Sequence, residues 1–186
     1  MKTSLRPGQT KNIIINDVAD IDPVINSLTF MKKALFFLLL AGILQSCDRQ
    51  RIYEEFIPVR DYTWNAGNIL HFHTNMTDTA GSHNIYLIIR NTGKYRYSNL
   101  YLFVTAHSPD GNALRDTVEI TLADEHGKWL GKGAASVYTR YHPYKSNIRF
   151  PVNGIYTFDV EQAMWIKDLT DITDVGLRIE KAVATR

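Results

Sequence analysis

The chain has 186 residues, a formal net charge of +2 and a single cysteine, Cys47. Five of its 21 basic residues and three of its 19 acidic residues fall within 1–46, so residues 47–186 carry 16 of each sign and no net charge. That balance gives no support to nucleic-acid binding, which draws on clustered Lys and Arg, and one cysteine allows no internal disulfide.

Residues 1–30 are long and mixed, with Asp17, Asp20 and Asp22 close to the apolar run that follows. This is a poor export leader, and the expectation is that translation starts at Met31 and that 1–30 reflects a misassigned start site. Met31-Lys32-Lys33 is a short positive head, Ala34 to Ile43 is continuously apolar or small, and Leu44-Gln45-Ser46-Cys47 closes the segment as a lipobox. Ten apolar residues span about 15 Å as a helix, roughly half a bilayer core. Residues 31–46 therefore read as a cleaved lipoprotein signal peptide and not as a membrane-spanning anchor. The Cys47 thiol then carries lipid, which leaves no thiol for catalysis or a metal.

The mature part, 47–186, is long enough for one domain with a real core. Residues 47–55 read as a lipid-anchored tether and 56–182 as the folded domain. Phe56 to Val59 reads as a first edge strand, since Pro58 cannot donate to a ladder. Past the turn residues Asn65 to Asn68, the run Ile69 to Met76 alternates, with His71, His73 and Asn75 on one face and Leu70, Phe72 and Met76 on the other. Further strands are expected over 84–90, 100–106 and 117–122, separated by Asn91-Thr92-Gly93 and by Pro109-Asp110-Gly111-Asn112.

Residues 124–135 read as a long loop, in which Gly127, Gly131 and Gly133 surround Trp129. Such a loop needs positive φ at a glycine or a close backbone approach, with Trp129 and the neighbouring Leu130 tucked in. Strands continue over 137–144, 147–151, 154–160 and 175–180, and 161–169 reads as one short helix. About nine short strands with turns at roughly ten-residue intervals predict an all-β fold, a single antiparallel β-sandwich of jelly-roll type.

Few motifs carry chemistry. His71 and His73 share a face at a spacing that metal sites use. No carboxylate follows before Asp78, however, and a third ligand would have to come from His83, His107, His126 or elsewhere. Two half-exposed surface histidines is the plainer reading, and no metal or other cofactor is expected. There is no Gly-x-Ser-x-Gly elbow and no phosphate loop. The carboxylates Glu54, Glu55, Asp168, Asp171 and Asp174 read as caps or solvated charge more readily than as a glycosidase pair. Aromatic residues are plentiful near loops and strand ends, and Trp129, Tyr138, Tyr141, Tyr144 and Trp165 are the candidate interaction residues, for a protein partner or a glycan.

Several segments together resemble the GldH family of gliding-motility lipoproteins of Bacteroidetes. They are the lipobox at Cys47, Tyr95-Arg96-Tyr97-Ser98-Asn99-Leu100-Tyr101-Leu102-Phe103, Asp116-Thr117-Val118-Glu119, and Leu122-Ala123-Asp124 with Gly127 to Gly133. Gly154-Ile155-Tyr156, Glu161-Gln162-Ala163-Met164 and Asp174 to Glu180 complete the set. Trp165 departs from it, standing where the family has an Arg. The resemblance implies an envelope lipoprotein needed for gliding and linked to the secretion system that the gliding machinery shares, with no enzyme activity and no cofactor. Its partners would be the membrane, through the lipid on Cys47, and other envelope proteins, with the domain facing the periplasm. The alternative function is a lipid-anchored carbohydrate-binding module.

Overall fold

The computed structural model describes residues 48–134 and 136–183. The chain divides into two units, 1–48 and 49–186, and the architecture below is that of the second. The signal peptide, the start site and Cys47 itself lie outside the described residues.

The described residues form eleven strands: β1 (Arg51–Pro58), β2 (Thr63–Asn65), β3 (Leu70–Met76), β4 (His83–Thr92), β5 (Asn99–His107), β6 (Ala113–Thr121), β7 (Lys132–Ala134), β8 (Val137–Ile148), β9 (Gly154–Gln162), β10 (Asp168–Thr170) and β11 (Ile172–Lys181). One sheet has the order β1-β11-β4-β8-β7, the other β3-β9-β5-β6, and β10 pairs with β2 in a small ribbon. Every pairing is antiparallel. With the three-residue strands set aside, eight long strands remain, and their order is first-eighth-third-sixth in one sheet and second-seventh-fourth-fifth in the other. That is the jelly-roll arrangement, in which the chain crosses between sheets after every long strand except β5, which turns straight back into β6.

Alternation of side chains drives this layering. On β3, Leu70, Phe72, Thr74 and Met76 are buried while His71, His73 and Asn75 are exposed, the pattern expected from the sequence. Val175, Leu177 and Ile179 of β11 and Ile85, Leu87 and Ile89 of β4 meet Leu100, Leu102, Val104, Phe158 and Val160 from the other sheet in one core cluster. The Leu87-Ile88-Ile89 run breaks the alternation because Ile88 is also fully buried, on the outer face. There it is flanked by Tyr141 of β8 and Gly176 of β11. A Cβ on Gly176 would lie 2.8 Å from the Phe56 ring, so the glycine lets that ring lie flat against the outer face.

The structure corrects several expectations. The first strand begins at Arg51, so residues 51–55, expected to be tether, pair with β11 through Glu180 to Leu177. The expected short helix over 161–169 is absent. Residues 161 and 162 extend β9, residues 163–167 bend, and β10 follows. Buried Gln162 makes that bend, donating from Nε2 to the Ile166 carbonyl at 2.9 Å and accepting from the Met164 N–H at 2.8 Å. Local side-chain hydrogen bonds of this kind compete with helix. The strand expected at 137–144 and the start of that expected at 147–151 are one strand, β8, which ends at Ile148 and has a register shift opposite Ile85 and Tyr86. Pro143 is tolerated within it because β7 covers only its first three residues, leaving the rest at the sheet edge. Finally, two successive residues with large side chains, Asp61 and Tyr62, adopt left-handed φ of 51° and 54° in the short 3-10 turn after β1.

Candidate functional site

The residues singled out in the sequence do not converge on one site. Trp129 and Tyr138 do meet, with ring centroids 5.6 Å apart, and Tyr95 packs on the other side of Trp129 at 6.4 Å and on Tyr97 at 5.7 Å. The Tyr95 hydroxyl donates to the Asn99 carbonyl at 3.0 Å, and its burial pushes its pKa up.

The segment carrying Trp129 is a tight turn, not the long loop expected. Ala123 bridges Trp129, and Leu130 N–H donates to the Leu122 carbonyl at 2.8 Å. The Asp124 carboxylate closes the turn, accepting from the His126 and Lys128 amides at 3.0 and 2.9 Å. Both roles foreseen for the glycines occur, at different positions. Gly127 has φ of 77°, whereas a Cβ on Gly133 would come within 2.1 Å of the Val137 carbonyl oxygen. Trp129 packs partly buried against the core, but Leu130 stays exposed, contrary to the expectation that it would be tucked in.

Tyr144 lies at the side of the sandwich, where its hydroxyl donates to Asp116 Oδ2 at 2.6 Å, and Lys145 Nζ sits 2.9 Å from the same oxygen. These contacts hold the Asp116 carboxyl below its ordinary pKa, while burial and the carboxylate push the Tyr144 phenol up. Tyr141 is exposed on the outer face of the first sheet, and Trp165 stands fully exposed at the tip of the β9–β10 bend.

His71 and His73 lie on the outer face of the second sheet, as expected, but each has its own partner on β9. The Asp159 carboxylate accepts from His71 Nδ1 at 2.6 Å and from His107 Nε2 at 3.1 Å, while His73 Nδ1 shares a 3.0 Å hydrogen bond with Thr157. Among the described residues no three His, Cys, Asp or Glu side chains are placed to hold a metal ion. His83, weighed as a further ligand, is fully buried.

The carboxylates are likewise spread over separate partners. Glu54 pairs with Arg51 and Arg178 at 2.9 and 3.3 Å, Asp168 accepts from Asn65 Nδ2 at 2.6 Å, and Asp171 accepts from Thr92 Oγ1 at 2.7 Å. Asp174 differs, since its nearest cation, Arg90, is 4.0 Å away. That loose pair lines an open cleft of about 520 Å³ on the outer face of the first sheet, together with Pro58, Tyr62, Thr139 and Thr173. In the sequence Pro58 marked only an edge strand and Asp174 only solvated charge, and Tyr62 gave no signal, because it is positioned by a left-handed turn that no glycine or asparagine announces.

Two antiparallel sheets in jelly-roll order define an all-β sandwich class of domain, and the side chains singled out in the sequence do not converge on one site among its described residues. A model of the GldH lipoprotein family matches residues 51–179, and the chain belongs to that family. It is 33% identical over 153 residues to the gliding motility lipoprotein GldH homolog of Christiangramia forsetii, covering 78% of this chain and 93% of the relative. It is 29% identical over 158 residues to the gliding motility lipoprotein GldH of Flavobacterium johnsoniae, covering 81% and 98% respectively. Among solved structures, the infectious bursal disease virus VP2 subviral particle is similar over 72% of this chain and 33% of its own. At a TM-score of 0.33 and 14% identity that likeness carries no argument.

Proposed function

We propose that the chain is exported, cut before Cys47 and held in the cell envelope by lipid on that cysteine. Its sandwich there serves as a non-catalytic structural or interaction component of the gliding-motility machinery and the secretion system associated with it. The observation that carries this reading is the family match over 51–179, which begins four residues after the lipobox cysteine. Relatives matched over most of their length bear the name gliding motility lipoprotein.

The structure adds a geometric constraint to that reading. Only residues 48–50 separate Cys47 from β1, and the Gln50 carbonyl already accepts from the Lys181 amide at 2.9 Å. Three to four residues reach at most about 14 Å, so the lipid keeps the start of β1 close to the bilayer surface. Strands of this length run about 25–30 Å. The far end, with the Trp129–Tyr95–Tyr138 cluster and Trp165, is then presented to other envelope proteins.

The test is metabolic labelling with a fatty-acid analogue. Cys47→Ser should abolish label incorporation and leave the protein as uncleaved precursor or free of the membrane. A mature, membrane-bound Cys47→Ser protein would rule the anchor out. Proteins that co-purify with the anchored form then identify the partners.

A further inference from the structure

We propose that the cleft on the outer face of the first sheet binds neutral saccharide, with Tyr62 as the stacking platform and Arg90 and Asp174 as the partners of sugar hydroxyls. This goes beyond the reading of the chain as a motility lipoprotein and does not depend on it.

Three independent features of the cleft lead there. The first is the cost at which Tyr62 is presented. Asp61 and Tyr62 both sit in the left-handed region, where residues with a Cβ are strained, and neither is replaced by glycine. The turn holds this conformation through the Tyr62 amide, which donates to the Val59 carbonyl at 3.1 Å. Its outcome is that Tyr62 stands 57% exposed at the rim of the cleft, outside the core cluster. A flat, exposed ring with a polar tip suits the apolar face of a pyranose.

The second feature is a polar pair with spare capacity. The Arg90 guanidinium is fixed by the Phe56 ring, 4.0 Å from its centroid, but no hydrogen bond of its side chain to the described residues is found, and it meets the Asp174 carboxylate only at 4.0 Å. Arg178, two rows along the same face, shows the contrast: it is bound to Glu54 and Glu180 at 3.3 and 3.0 Å. Arg90 therefore offers donors and Asp174 offers acceptors side by side. Sugar hydroxyls, which donate and accept at once, need that combination. Thr139 also lines the cleft, while the buried Thr173 hydroxyl donates to the Arg90 carbonyl at 3.3 Å, and the Arg90–Asp174 pair leaves the cleft without net charge, which favours a neutral ligand over an anionic one.

The third feature is position and size. The cleft lies over the sheet face, not along an edge, so it presents no row of free backbone groups to an extended peptide. At about 520 Å³ it is open and not enclosed, which suits a sugar laid along the face with one side in water.

The experiment titrates the full chain, purified in detergent with its lipid, with cellohexaose, maltohexaose, chitohexaose and mannohexaose, each followed by calorimetry to about 10 mM. At least one should bind with a Kd of about 1 mM or tighter. Tyr62→Ala and Arg90→Gln should each weaken that binding about tenfold or more, equivalent to about 1.4 kcal/mol. Ile155→Ala, exposed on the opposite sheet, should leave it within twofold. Tyr62→Gly separates strain from recognition, since it should raise the melting temperature while losing the sugar. Absence of binding by all four sugars overturns the proposal. So does binding that survives Tyr62→Ala and Arg90→Gln but is lost in Trp165→Ala. Neither result touches lipid labelling at Cys47, which is read separately.

Discussion

His83 stands at the start of β4 with no exposed surface, its ring meeting Phe150 edge-on at 5.3 Å. Neither ring nitrogen has a hydrogen-bond partner among the described residues. Burial holds its pKa below the ordinary 6.5, aided by Lys181 and opposed by Asp78, so the folded protein keeps it neutral where the unfolded chain would protonate it. Stability is then full above about pH 6.5 and falls as pH drops below it, because the unfolded state binds the extra proton. His142 on β8, also lowered by burial and by Arg140, adds to the same slope. His83→Phe should flatten the loss of stability between about pH 6.5 and 5, and should be neutral or stabilising at pH 7 because two unpaired polar atoms leave the interior. Chemical denaturation at a series of pH values checks it, and an unchanged slope would sink the assignment. The paired carboxylates, such as Asp116, act in a separate and more acidic window.

The turn around Trp129 is held by the Asp124 carboxylate, by Gly127 at positive φ and by the packing of the Trp129 ring between Tyr95 and Tyr138. Trp129→Ala should cost about 2–3 kcal/mol, less than the ~3–5 kcal/mol of a fully buried aromatic because the ring is only partly covered. Tyr95 and Tyr138 would lose their shared neighbour, and the melting temperature should fall by several degrees. An unchanged melting temperature would instead mark the turn as a contact surface. Elements such as β3, with its strict alternation of Leu70, Phe72 and Met76 against His71 and His73, were legible because burial imposes a period of two. Residues 161–169 were not, because Ala163, Met164 and Ile166 fit a helical spacing while Gln162 turns the backbone by hydrogen bonds that no pattern reveals. The β7 and β10 strands were missed for a related reason: three residues are too few to show a period. The cleft was illegible because Tyr62, Arg90 and Asp174 come from three distant segments and meet only through the pairing of β1, β11 and β4.

For the whole molecule, turn signals at regular intervals sufficed to indicate a jelly-roll sandwich, since alternating strands with one wet face leave few other ways to close a core. Where the domain starts was harder to read, as charged Arg51, Glu54 and Glu55 look like a solvated linker until Arg178 and Glu180 of β11 are placed beside them. These residues belong to the compact unit formed by 49–186. A gene beginning at Met31 should therefore yield protein of the same mature mass, membrane attachment and melting temperature as the long form. Loss of export or folding would show that 1–30 belongs to the working protein.

In the anchoring proposed at Cys47, the lipid-proximal end of the domain is also the start of an edge strand, which has a mechanical consequence. β1 runs antiparallel to β11 over seven paired positions, from Arg51 with Glu180 to Pro58 with Asp174. A tension acting between the anchored end and the far loops is directed along β1, across hydrogen bonds that lie perpendicular to it. Such a pull loads the rungs together in shear instead of opening them one after another. An envelope part tied to a moving machine would, with this geometry, yield under traction all at once and only at high force.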